Sequence, residues 1–102
     1  MATLIALYKK PADAAAFDDY YFNKHLPLAK TIQGLRRYEV SSGAIASGAG
    51  ASDLHLVALL SFDSMAAIQQ ALGSPEGQAT AGDLANFAQA GVELLMFDTK
   101  EI

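Results

Sequence analysis

The nine residues Leu54–Phe62 alternate between two sets that are both largely apolar. Leu54, Leu56, Ala58, Leu60 and Phe62 point one way, and His55, Val57, Leu59 and Ser61 the other. Successive side chains of an extended chain face opposite sides of its sheet, so this strand needs cover on both. The chain has 102 residues, the material of one domain spanning 1–102. Its helices can cover only one face of a small sheet. The face bearing Val57 and Leu59 therefore calls for a second copy of the chain, packed sheet against sheet as a homodimer.

Three further strands follow from the same reasoning. Thr3–Tyr8 is a continuous apolar run stopped by Pro11, as expected of a strand buried on both faces. Leu35–Ser41 puts Tyr38 and Val40 on one face and Arg37 and Glu39 on the other, and Val92–Phe97 is the last strand. Between the first two, Asp13 is placed to cap a helix carrying Phe17 and Tyr21. Pro27 has no N–H to donate and its ring collides with the preceding turn. The helix is expected to end or kink near His25–Leu26, a second short helix running through Leu28 and Ile32 until Gly34 stops it. Ser42–Ser52 reads as a flexible connection. Asp63 or Ser64 opens a helix through Met65, Ile68 and Leu72, and Ser74-Pro75-Glu76 opens another that carries Leu84, Phe87 and Ala88. Strand, helix, strand, strand, helix, strand is the order of a ferredoxin-like α+β fold with a four-stranded antiparallel sheet.

Composition narrows the function classes. Hydrophobic residues make up 52% and charged residues 18%, enough for a core. Zero cysteines exclude disulfide frameworks, iron–sulfur clusters and thiol catalysis. The formal charge of −4 argues against nucleic acid, whose phosphates require clustered Lys and Arg. Charge is uneven along the chain: residues 1–40 hold six basic and four acidic side chains, residues 41–102 one and seven. That pattern reads most simply as solvated surface. The apolar start has no basic residue before it and closes after seven residues at Lys9-Lys10-Pro11, too short to span a membrane. A cytoplasmic protein is expected. Gly43, Gly48 and Gly50 open no helix, so no phosphate-cradling loop forms, and no His-x-x-x-His or Glu-x-x-His spacing suggests a metal. No cofactor is expected.

His25 is the first candidate for chemistry. Helical spacing stacks Phe17, Tyr21 and His25 on one side. A histidine there is able to take a proton near neutral pH, and a tyrosine to hydrogen-bond the resulting oxyanion. The same histidine serves equally well as a brace at the helix junction. His55 sits in a strand with two apolar faces and must find a partner. Tyr8, Phe17, Tyr38 and His55 have the residue types of an aromatic-lined pocket, although such residues also simply build cores.

The stretches Ala6-Leu7-Tyr8-Lys9-Lys10-Pro11-x-Asp13, Phe17-x-x-Tyr20-Tyr21, His25-x-Pro27-Leu28-Ala29 and Gly34-Leu35-Arg36-Arg37-Tyr38 resemble the EthD family of ethyl tert-butyl ether degradation proteins. The resemblance covers about the first 40 residues closely and implies a ferredoxin-like monomer within the dimeric α+β barrel superfamily. By position, His25 matches the family's His-x-Pro histidine, and Tyr21 and Phe17 its preceding aromatics. Superfamily members include cofactor-free monooxygenases, isomerases, dehydratases and haem-linked enzymes, and fold alone does not choose among them. Ala14-Ala15-Ala16 and the 42–52 loop offer few polar groups.

Two readings result. In one, the dimer is an enzyme without an organic cofactor that acts on a hydrophobic or aromatic carbonyl or phenolic compound. His25 is its general base, Tyr21 steadies the oxyanion, and Tyr8, Phe17, Tyr38 and His55 shape the cavity. In the other, the protein is a non-catalytic ligand-binding or accessory module that supports a partner oxygenase.

Overall fold

The computed structural model describes residues 1–102. Its elements are β1 (Ala2–Lys9), α1 (Ala14–Tyr20), a π-helical turn (Tyr21–His25), α2 (Leu26–Ala29), β2 (Arg37–Val40), β3 (Ala46–Ser47), β4 (Gly50–Ala51), β5 (Leu54–Phe62), α3 (Met65–Gly73), α4 (Pro75–Phe87) and β6 (Val92–Asp98). The main sheet has the strand order β2-β5-β1-β6, every neighbour antiparallel. This is the ferredoxin-like α+β arrangement. No helix is long and apolar enough to cross a membrane.

The helices cover one face of the sheet. Ala2, Leu4, Ala6 and Tyr8 of β1 and Leu56, Ala58, Leu60 and Phe62 of β5 are buried beneath Phe17, Tyr21, Ile68, Ala71 and Phe87. On the opposite face Leu59, Ile5 and Leu95 form a row across three strands, Ile5 opposing Leu59 on one side and Leu95 on the other. Leu95 and Phe97 are each 42% exposed. The middle of this outward face is apolar, while Arg37, Glu39 and Glu93 sit on its outer strands.

The caps are local. Asp13 Oδ1 accepts from the Ala16 N–H at 3.0 Å to start α1. Ser64, rather than Asp63, starts α3 by accepting from Ala67 N–H at 3.0 Å. Asp63 instead takes two bonds from the Arg36 guanidinium, at 2.8 and 3.1 Å. Ser74 starts α4, its hydroxyl accepting from Gly77 N–H at 3.1 Å. Gly34 turns the chain into β2 with a φ of 84°, a conformation that a side chain resists.

Three expectations are corrected and one is sharpened. The helical run divides at His25–Leu26 as expected, with Pro27 opening the next short helix, but through a widened turn rather than a break. Tyr21–His25 widen into a π turn, the Leu26 N–H bonds to the Tyr21 carbonyl, and Pro27 falls in the first turn of α2, where its missing donor is an orphan anyway. The second helix stops at Ala29, and the chain to Ile32 continues in tighter bonds to residues three back. The 42–52 segment holds a small hairpin, β3 with β4, fastened where the Ser47 hydroxyl donates to the Gly50 carbonyl at 3.0 Å. The alternation of β5 breaks at its start: Tyr8 opposes Leu56 but Lys9 opposes Leu54, and His55 leaves the outward set to meet α1.

Candidate functional site

The π turn joins directly onto α1, so Phe17, Tyr21 and His25 line up against the sheet, all three buried. Tyr8 rises from β1 to meet them. Its ring lies edge-on to Phe17 and to Tyr21, both at 5.5 Å. Phe87 from α4 closes the cluster, its ring 4.6 Å from that of His25.

Two bonding groups organise this core. The Tyr21 and Tyr38 hydroxyls lie 2.6 Å apart, joining the π turn to β2. His25 Nδ1 lies 2.9 Å from Asp83 Oδ2 on α4. Asp83 is held in turn: its Oδ1 accepts from the Tyr20 hydroxyl at 2.6 Å and from the Asn86 amide at 2.9 Å.

Protonation follows from burial and from these bonds. Loss of water pushes the His25 pKa below the ordinary value, and the Asp83 carboxylate offsets only part of that. Burial works upward on Asp83, but the bonds from Tyr20, Asn86 and His25 outweigh it and hold its carboxyl below the usual range. Near neutral pH the pair is thus a neutral imidazole beside a carboxylate. A carboxylate only accepts, so Nδ1 carries the proton and Nε2 presents its lone pair. Burial raises Tyr8 and Tyr21 well above the ordinary phenol value and raises Tyr38 above it, so these hydroxyls stay protonated donors.

Tyr8, Tyr21, His25 and Tyr38 converge on a cavity of about 60 Å³ between the sheet and α4, whose lining is otherwise almost wholly apolar. Ala81 and Leu94 are its exposed lining residues and mark where it meets solvent. Phe17 backs Tyr8 and Tyr21 from outside this cavity. His55 is elsewhere. Its Nε2 lies 2.7 Å from Asp18 Oδ1, its ring meets the Phe17 ring at 5.0 Å, and it lines an open cleft of about 640 Å³ beside the 42–45 loop. Ligand sites pair mostly apolar walls with a few convergent polar groups, and the smaller cavity has that pattern, so it is the candidate. No group of three or more His, Cys, Asp or Glu side chains comes together to hold a metal.

Asp83 escaped the sequence reasoning. The one signal it offered is that no other side chain between Glu76 and Glu93 is ionisable. Asp18, the partner of His55, was equally silent.

The EthD domain model matches residues 9–91. The chain belongs to the EthD family. An EthD family protein of Bacillus halodurans has a crystal structure 37% identical, with a TM-score of 0.89 over 98% of this chain and 99% of that one. An uncharacterized 11.0 kDa protein of Rhodococcus erythropolis is 39% identical over 100% of this chain and 98% of its own length. Two remoter structures share the EthD chain's fold. One is SnoaB of Streptomyces nogalater, described as a cofactor-independent oxygenase (17% identity, TM-score 0.69, 99% and 94% coverage). The other is a dimeric ferredoxin-like protein of unknown function from Bacteroides fragilis (16% identity, TM-score 0.66, 96% and 95% coverage).

Proposed function

We propose that this EthD protein is an enzyme that removes a proton from a hydrophobic substrate without an organic cofactor, with His25 as its general base. The observation that carries this reading is the buried His25–Asp83 pair. Nδ1 donates to a carboxylate at 2.9 Å, which fixes the tautomer and leaves Nε2 as the acceptor. Nε2 has no protein partner, yet no buried side-chain nitrogen or oxygen is sealed off without one, so Nε2 keeps accessible surface, and His25 lines the cavity. A neutral imidazole so oriented is a base poised near neutral pH. Asp83 acts through it, holding the ring and stabilising the imidazolium that forms. A cofactor-independent oxygenase shares this fold, in keeping with a reaction that needs no organic cofactor. The apolar middle of the outer face, together with a dimeric protein among the structures of like fold, supports a homodimer with its sheets face to face.

The enclosed space is small beside the roughly 300–1,000 Å³ of an ordinary ligand pocket. In this reading only the reacting end of the substrate enters, and the rest lies in the mouth at Ala81 and Leu94. That small volume also favours the second reading, a non-catalytic accessory or ligand-binding dimer. Incubation of 2-tetralone, an uncharged ketone with an acidic benzylic C–H, in D2O separates the two. Enzyme-dependent deuterium uptake that disappears in His25→Gln is the expected result. Saturable binding with no exchange above buffer identifies a binding module.

A further inference from the structure

The polar groups facing the cavity are few, and they define what it can recognise. None of its lining side chains is Lys, Arg, Asp or Glu. A carboxylate or phosphate entering it would lose its hydration with no cation in return, which strongly disfavours its entry. The acceptor on offer is His25 Nε2. The donors are hydroxyls, and they are not equivalent. Tyr21 and Tyr38 spend one O–H on each other. The Thr80 hydroxyl donates to the Glu76 carbonyl at 2.8 Å. Tyr8 is 2% exposed and its hydroxyl has no protein partner, but no buried side-chain oxygen is left sealed without one, so this hydroxyl keeps accessible surface, and Tyr8 lines the cavity. Tyr8 is therefore the buried phenol with its whole bonding capacity free.

We infer that the cavity takes an uncharged carbonyl compound, whose oxygen accepts a hydrogen bond from the Tyr8 hydroxyl while its neighbouring C–H faces His25 Nε2. This rests on the cavity being the substrate site proposed above, and it moves the oxyanion-binding role from Tyr21 to Tyr8. The chemistry balances without a further reactant. Nε2 takes the proton, the C–H electron pair becomes the C=C bond of an enolate, and the carbonyl π pair moves onto oxygen. The Tyr8 O–H donates throughout without transferring its proton. Return of the proton from Nε2 to carbon regenerates the ketone or an isomer of it. A preorganised donor of this kind strengthens as charge develops on the oxygen.

The test uses the intact protein with 2-tetralone and its anionic counterpart 1,2,3,4-tetrahydro-2-naphthoate, and reads affinity by calorimetry and the bound carbonyl stretch by infrared difference spectroscopy. The ketone is expected to bind at least about 10-fold tighter than the carboxylate. Its C=O stretch is expected to fall on binding. Tyr8→Phe, which removes one oxygen and leaves the ring packing, is expected to abolish that fall and weaken binding about 3- to 10-fold. Tyr21→Phe is expected to leave the fall in place. A carboxylate that binds as well as the ketone, a ketone that does not bind saturably, or a carbonyl shift unchanged in Tyr8→Phe would each overturn the inference. The readout is independent of turnover: a Tyr8-dependent carbonyl shift with no deuterium uptake upholds the recognition and removes only the catalytic role of His25.

Discussion

His25 and Asp83 are 58 residues apart in the chain and their side chains meet at 2.9 Å, joining the π turn to the middle of α4. The carboxylate does two things to the imidazole: it fixes the proton on Nδ1 and opposes the loss of pKa that burial causes. Asp83→Asn keeps the shape and removes the charge. His25 is then expected to titrate still lower, and the Nδ1–H tautomer to lose its preference, both visible in the imidazole 15N shifts. Exchange into 2-tetralone should drop about 100-fold or more, the scale of a lost general-base contribution. Unchanged imidazole shifts in this variant would remove Asp83 from the site.

Burial also makes stability depend on pH. The folded pKa of His25 lies below the ordinary 6.5. As pH falls from 6.5 toward the depressed value, the unfolded chain takes up a proton at this imidazole and the folded chain does not, so the protein loses stability. Above 6.5 the contribution is fully present. Asp83, depressed below its usual value, adds a separate loss at more acidic pH. Urea unfolding should therefore show its midpoint declining below about pH 6.5, and His25→Gln should flatten that decline. A midpoint with the same pH slope in both proteins would show that His25 titrates normally.

The order of elements was legible because its signals are local. Long apolar strands, Pro11 and Gly34 at their ends, and Ser64 and Ser74 at helix starts act within a few residues. The dyad was not, because the rotation of α4 that turns Asp83 toward His25 is set by packing of its Phe87 against Tyr20 and His25, contacts between distant segments. Pro27 carried a true local signal with an unforeseen outcome. The conflict with the preceding turn is absorbed by the π turn that contains both Tyr21 and His25. His55 was misplaced for a similar reason: strand alternation holds only until the register slips, and the slip at Tyr8–Lys9 depends on the partner strand.

Gly77 sits in the first turn of α4 where it crosses the end of α3. A Cβ on it would collide with the Ala71 carbonyl oxygen and lie 2.8 Å from Leu72 Cα. Both are backbone atoms and have no rotamer to escape into. Gly77→Ala is expected to lower unfolding stability by about 2–3 kcal/mol, in the range of overpacked cores, despite the helix propensity that alanine adds. Chemical denaturation decides it; a variant as stable as the parent would mean that α3 and α4 slide apart at little cost.

The outer face of the sheet supplies the last prediction. Leu59 lies in the central strand β5 with Ile5 beside it, Leu95 beyond, and Glu39 on its other flank. The inner core begins on the opposite side of that strand, at Ala58 and Leu60. A charge at position 59 therefore leaves the helix-covered core alone and strikes only what packs on the outer face. If two sheets meet there, Leu59→Glu places a glutamate from each copy inside an apolar interface, and burial of unpaired charges opposes association strongly. Sedimentation equilibrium should find the parent chain dimeric and the Leu59→Glu chain monomeric, with far-UV circular dichroism retained. A parent that sediments as a monomer at micromolar concentration, or a Leu59→Glu protein that remains a dimer, would place the partner surface elsewhere.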